Sequence, residues 1–153
     1  MPLLILNSRK KISNFGPGSS ELQYDEITDT GYYGFVSSED FINGENLISQ
    51  LNFTAGTNQN STAGWLKFYV GPNAICNNSY QSKILFISKK TLKHSISWRD
   101  LYNENLIFGT TTITINNNEY KIRLITGGVS SPGTGSEWNE LLYRVHIESP
   151  EGK

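Results

Sequence analysis

The chain has 153 residues, which fits one domain, and a mean hydropathy of −0.39 with no apolar run long enough to span a membrane. Its 13 basic and 14 acidic residues nearly cancel, so the basic excess that holds a nucleic acid is missing. Cys76 is the only cysteine, and "MPLLILNSRKK" has its basic residues after the apolar run, the reverse of a signal peptide. We therefore expect synthesis in a reducing cytoplasm, with neither nucleic acid nor membrane as a partner.

The first 30 residues differ from the rest of the chain. A short apolar run, Leu3 to Leu6, precedes the turn-forming stretch "NFGPGSSE". The run is either the first strand of the domain's own sheet or an arm that adds its strand to a neighbouring subunit. We expect segment 1–30 to contact another subunit, and residues 31–153 to form a β-rich globular domain.

Strands and one helix are predicted in the first half of the globular region. "GYYGFV" (31–36) is typical of an aromatic strand, and 37–51 predicts a short or broken helix in which Ser37 and Asp40 form a capping-box variant. Residues 52–64 are a predicted loop. The runs 65–71 and 83–90 then predict two strands of a hairpin with a long connection.

A second helix is predicted from residue 98. Ser97 is its expected N-cap, Asp100 lies in its first turn, and Trp98, Leu101 and Tyr102 share one face. The predicted helix lies within the stretch 95–109.

The segment 110–125 predicts a β-hairpin. Two β-branched runs flank the turn "NNNE", and asparagine tolerates a positive φ. The inward face of this hairpin is predicted to carry Ile113, Ile115, Tyr120, Ile122 and Leu124. Together these elements predict an α+β fold: a strand-dominated single domain with antiparallel hairpins and two or three short helices.

The stretch "GTGSEWNELLYRVH" raises the question of a catalytic serine. Ser136 lacks the Gly-x-Ser-x-Gly context of a nucleophile elbow, and only His94 and His146 could supply a base. A capping role is simpler: Ser136 starts a short helix, and Glu137 and Glu140 lie solvated in its first turn, where the helix dipole favours them. The same two carboxylates show no sign of the cleft or raised pKa that glycoside hydrolysis needs.

Metal and cofactor motifs are missing from the sequence. The two histidines are far apart, no Cys-x-x-Cys or His-x-x-x-His spacing occurs, and no twelve-residue calcium loop is present. His94 lies between a strand and a helix, where a hydrogen-bonded turn residue is expected. We therefore predict no catalytic residue, no metal, no cofactor and no enzymatic activity.

Aromatic residues are the remaining candidates for a site, since they form 12% of the chain. Tryptophan and tyrosine pack in cores, anchor protein interfaces and stack on sugars, and the sequence leaves these three roles open. The candidates for an interface or ligand site are Trp65, Trp98, Tyr102, Trp138 and Tyr143.

Several phrases recur together in a known family. They are "WLKF" (65–68), "KK" (89–90), "SISWRDLY" (95–102), "YKIRL" (120–124) and "GSEWNEL" (135–141). Over residues 64–146 the chain resembles a segment of virion structural proteins from tailed bacteriophages. Glu140 stands where that pattern usually has an arginine, which disfavours a basic role at this position.

The resemblance implies a non-enzymatic virion component, attached to capsid or tail, that is made in the bacterial host cytoplasm. Its partners would be other virion proteins and further copies of itself. Many relatives continue after "SEWN" into a domain with a C-type lectin-like or formylglycine-enzyme-like fold. The alternative is therefore a carbohydrate-binding, lectin-like module of a receptor-binding protein, with a host surface glycan as ligand. That alternative needs Trp65, Trp98 and Trp138 around an exposed groove, whereas burial of all three would argue against it.

Overall fold

A computed structural model describes residues 15–77, 79–127, 135–143 and 145. In chain order, its elements are β1 (Gln23–Asp25), β2 (Thr30–Val36), α1 (Gly44–Gln50), β3 (Thr57–Asn58), β4 (Trp65–Val70), β5 (Lys83–Ser88), β6 (Lys93–His94), α2 (Trp98–Asn103), β7 (Phe108–Ile115), β8 (Asn118–Arg123) and a π-helix (Trp138–Leu142). The apolar run Leu3 to Leu6 and the residue His146 lie outside the described residues.

The domain is strand-dominated and antiparallel, with three short helices, which confirms the predicted α+β class. The main sheet has the order β1–β2–β4–β5, and β3 pairs with β6 in a small second ladder. Hairpin β7–β8 forms a third sheet. None of the helices in the described part of the chain is long and apolar enough to cross a membrane.

The β7–β8 hairpin follows from its turn. Asn116 and Asn117 have φ values of 49° and 65°, the pair of positive angles of a type I′ turn, whose twist matches the flanking strands. Ile113 and Ile115 are buried, as the alternation predicts. Leu124 is exposed instead of inward-facing; it follows the last residue of β8, beyond the register shift between Phe108 and Thr111, although its N–H still donates to the Ile107 carbonyl at 3.3 Å.

Helix α1 begins later than predicted. The Ser37 hydroxyl accepts the Asp40 backbone N–H at 3.0 Å, but this bond closes a turn and not a helix. The N-cap is Asn43. Gly44 then enters the helix where its N–H donates to the Ser61 carbonyl at 2.7 Å, and a Cβ at this position would lie 3.1 Å from Ser61 Cα. The start of the helix is thus set by a tertiary contact.

Both faces of the main sheet are covered, which gives a layered domain. One face packs against the β7–β8 hairpin, in a core cluster of Val36, Phe41, Ile42, Leu47, Trp65, Ile113 and Ile115. The opposite face packs Phe68 and Val70 against Leu141 of the π-helix. A third cluster joins Ile48 and Phe53 to Leu106, beneath the two α-helices.

Residues before β2 are part of this fold. β1 pairs with β2 in register Gln23 to Tyr32. The carboxylate of Asp29 is buried and accepts hydrogen bonds from the Tyr24 hydroxyl at 2.6 Å and the Asn73 N–H at 2.9 Å. Burial and the hydrogen bond to Asp29 raise the pKa of Tyr24. This network ties the start of the sheet to the loop that follows β4.

Candidate interaction surface

Helix α2 is fixed at its N-terminus by a capping box. The Ser97 hydroxyl accepts the Asp100 N–H at 3.2 Å, and the Asp100 carboxylate accepts the Ser97 N–H at 2.7 Å. The bond from the Ser97 backbone is the main reason why the pKa of Asp100 lies below its usual value. The predicted N-cap at Ser97 is confirmed.

The C-terminus of α2 is closed by a Schellman motif. Asn105 has a φ of 56°, its N–H donates to the Tyr102 carbonyl, and the Leu106 N–H donates to the Leu101 carbonyl, both at 3.0 Å. Leu106 is buried, and Leu101 packs against the same cluster. Because both ends of this six-residue helix are fixed, its outer face is held rigidly and the chain direction into β7 is set.

Three aromatic side chains come together where α2 leads into β7: Trp98 and Tyr102 on the helix and Phe108 on the strand. Trp98 is 59% exposed, Tyr102 52% and Phe108 70%. The rings of Trp98 and Tyr102 are stacked, with centroids 4.9 Å apart and planes at 19°, and the Phe108 ring meets Tyr102 edge-on at 6.5 Å. We call Trp98, Tyr102 and Phe108 the aromatic patch.

The other predicted site residues are dispersed. Trp138 and Tyr143 are exposed on the C-terminal π-helical segment, where the Tyr143 N–H donates to the Trp138 carbonyl. Trp65 lies in the core at 8% exposure, and its indole N–H donates to the Ile42 carbonyl at 2.7 Å. The Trp65 indole is therefore not available to a partner at the surface.

Phe108 was missed at the sequence level, although a signal for it exists. Ile113 and Ile115 face inward on β7, so even-numbered positions of the strand face outward. Phe108 belongs to the outward set. A single exposed ring indicates little, but Phe108 lies against the exposed Tyr102, and contiguous apolar patches mark interaction sites.

An ion pair between Arg123 on β8 and Glu137 connects the β7–β8 hairpin to the π-helical segment. Phe108 pairs with Arg123 across the hairpin, and both guanidinium Nη atoms of Arg123 donate to the Glu137 carboxylate, with Nη1 to Oε2 at 2.6 Å. The same carboxylate accepts the Thr126 N–H at 2.9 Å. Glu137 was predicted to be solvated, and that prediction is wrong: it is 1% exposed.

The electrostatics of this pair favour its charged form. Burial alone would raise the pKa of Glu137, but the hydrogen bonds from Arg123 and from the Thr126 backbone outweigh it and lower the pKa. The pKa of Arg123 is raised, mainly by its hydrogen bond to Glu137. The pair therefore locks the hairpin to the segment that carries Trp138.

Ser136 caps the turn that follows, as predicted. Its buried hydroxyl accepts the Asn139 N–H at 3.1 Å, and its carbonyl accepts the Glu140 N–H at 3.0 Å. We expect Ser136→Ala to lower the free energy of unfolding by about 0.5–2 kcal/mol, because one N–H of the first turn loses its acceptor. Urea denaturation measures this. An unchanged stability together with a lost activity would show that the hydroxyl has a chemical role instead.

Groups with other chemistry do not assemble around the patch. His94 hydrogen-bonds through Nδ1 to the Ser95 hydroxyl at 2.9 Å and is exposed. Over the described ranges, no three His, Cys, Asp or Glu side chains come together as metal ligands. Two of the three rings of the aromatic patch, those of Trp98 and Tyr102, lie on a helix that is capped at both ends.

The fold and the patch define a small strand-rich α+β domain with a rigid aromatic surface. In comparisons with protein-family models, curated proteins and solved structures, nothing matches this chain.

Proposed function

We propose that the protein is a non-enzymatic structural component of a bacteriophage virion, attached to the capsid or tail as a decoration or a fibre-attachment module. The observation that carries the proposal is the aromatic patch, in which the exposed ring of Tyr102 on the doubly capped helix α2 contacts the exposed rings of Trp98 and of Phe108 on β7. The resemblance of residues 64–146 to tailed-phage virion proteins gives the class of partner.

The patch has the properties of a protein-binding hot spot. Tryptophan and tyrosine are enriched among the few residues that carry most of the binding energy of an interface. Trp98 and Tyr102 are stacked on each other, so they lose little conformational freedom when a partner covers them. Phe108 adds an edge-on ring whose surface is mostly exposed. A partner subunit would remove this apolar surface from water.

The central ring of the patch is the best place to test it. Tyr102 contacts both of the other rings, so we expect Tyr102→Ala to weaken attachment to the particle by about 2 kcal/mol, roughly 30-fold. The measurement is the amount of this protein retained on density-purified virions of the encoding phage, by quantitative mass spectrometry. The matched control is Phe35→Ala, which removes an exposed ring on β2.

Two outcomes would contradict the proposal in different ways. If the wild-type protein is missing from purified virions, the virion role fails. If the wild-type and Tyr102→Ala proteins are retained equally, the virion role stands and the patch is not the contact.

A carbohydrate-binding, lectin-like role is the second candidate. Burial of Trp65 removes one of the three indoles expected around a sugar groove, and it leaves Trp98 and Trp138, both more than half exposed, as the candidates for contact with a sugar. Exposed indoles stack on the apolar faces of sugar rings. Under this alternative, wild-type protein binds host surface glycans on an array, and Trp98→Ala or Trp138→Ala abolishes the signal. Binding that is unaffected by both substitutions, or no binding by the wild type, would reject the sugar platform.

A further inference from the structure

The outer edge of β5 is open among the described residues. β5 is the last strand of the main sheet and pairs with β4 alone. The Lys89 N–H donates to the Gly64 carbonyl at 3.0 Å, in line with the β4–β5 register. Because hydrogen-bonded and non-hydrogen-bonded pairs alternate in an antiparallel ladder, the backbone groups of Ile84, Phe86 and Ser88 point away from β4. They are available to a further strand.

This edge is apolar on both faces of the sheet. Phe86 packs on the side of Trp65 and the β7–β8 hairpin, whereas Leu85 and Ile87 pack on the side of Phe68. All six residues of β5 are only half-buried. An uncovered apolar edge of this kind pairs readily with another chain, and lysines flank it only at its two ends.

The start of the described chain leads to the same edge. A Cβ built on Gly18 would lie 2.6 Å from Val36 on β2, and one built on Gly16 would lie 2.9 Å from the ring of Phe86 on β5. The ring of Phe15 packs against the ring of Tyr120 on β8, with centroids 5.5 Å apart. Followed toward the N-terminus, the chain crosses the sheet from β2 to β5. The described chain therefore begins at Phe15, close to the edge strand β5.

We propose that this edge takes up the apolar run Leu3 to Leu6 from a second copy of the protein, as an additional strand of the main sheet. The run is apolar like the edge, and its four residues can pair with most of the six residues of β5. The connector, residues 7–14, could span roughly 27 Å when extended. It contains Arg9, Lys10 and Lys11, and like charges extend a linker, which favours reaching a neighbour over folding back onto the same sheet.

Exchange of this strand makes the protein an oligomer of itself. Each copy donates one apolar run and accepts another; reciprocal exchange between two copies gives a closed dimer, and head-to-tail exchange gives a ring or an open chain. Main-chain hydrogen bonds supply affinity, and the two faces of the strand extend the two cores on either side of the sheet. The inference does not depend on the virion role, since it concerns contacts between identical chains.

Cross-linking of the full-length chain tests the donor and the acceptor together. Benzoylphenylalanine replaces Leu4, and unlabelled protein is mixed with heavy-isotope-labelled protein before irradiation. We expect cross-links from position 4 to peptides of residues 83–88 that join a light chain to a heavy chain. Cross-links confined within one chain would overturn the exchange, and cross-links that avoid β5 would overturn the acceptor site.

Variants of strand β5 test the same contact through the mass of the assembly in solution. Ser88→Pro removes an outward N–H but leaves the bonds to β4, and Ser88→Ala keeps that N–H as a matched control. By light scattering we expect the wild type and Ser88→Ala to assemble, and Ser88→Pro to have the mass of a single chain. Deletion of residues 1–12, which keeps Phe15 and Gly16 in place, should have the same effect. A monomeric wild type, or an assembled deletion variant, would overturn the proposal.

Discussion

Glu137→Gln is expected to lower the free energy of unfolding by about 3–5 kcal/mol, because it breaks a buried ion pair and leaves one charge behind. The Arg123 guanidinium is one-quarter exposed and donates to both carboxylate oxygens of Glu137. A glutamine offers one acceptor oxygen and a donor that faces the guanidinium. The Thr126 N–H also loses its charged acceptor. Urea denaturation at neutral pH measures the loss.

The matched control is Glu119→Gln, the same chemical change at an exposed position of β8, which we expect to stay within about 0.5 kcal/mol of the wild type. If both variants lose the same small amount, the ion pair does not stabilise the fold.

The same pair predicts a pH dependence. The pKa of Glu137 is lowered in the folded state, so its stabilising contribution is present above the unfolded pKa, about 4.3, and is lost as the pH falls through the folded pKa. The stability difference between the wild type and Glu137→Gln should therefore narrow in acid. A difference that stays constant down to that range would show that the charge of Glu137 is not what stabilises the protein.

Local sequence was sufficient where the deciding interactions are local. The hairpin turn depends on Asn116 and Asn117, and the α2 cap depends on Ser97 and Asp100, all within a few residues of one another. The pairing of Trp98 with Tyr102 follows from their spacing of four on a helix. Such features can be predicted from the sequence because local chain geometry alone brings the interacting groups together.

The sequence was not sufficient to predict features that depend on contacts between segments far apart in the chain. The ladder of Thr57 with His94 depends on two very short strands that have no pattern of their own. Glu137 looks like an ordinary helix-start carboxylate until the fold places Arg123 against it. Trp65 could not be assigned from alternation because both faces of the main sheet are buried, and an aromatic strand then has no outward side to identify.

The position of Phe41 also depends on distant segments and could not be predicted from local sequence. Its replacement gives the second large expected effect on the free energy of unfolding. Phe41 falls within the predicted helix of residues 37–51, but it lies before α1, between the main sheet and the β7–β8 hairpin. Its ring centroid is 4.4 Å from that of Phe86, 5.5 Å from that of Trp65 and 5.1 Å from that of Tyr120. One side chain therefore contacts both layers of the core.

We expect Phe41→Ala to lower the free energy of unfolding by about 3–5 kcal/mol, through the lost burial of the ring and the cavity it leaves between three other rings. Phe108→Ala is the matched control, since the same atoms are removed from a ring that is mostly exposed, and we expect a change within about 0.5 kcal/mol. Urea denaturation of the two variants measures the difference. If Phe41→Ala is no more destabilising than Phe108→Ala, the hairpin is held on the sheet by its other contacts, and Phe41 only fills space beside them.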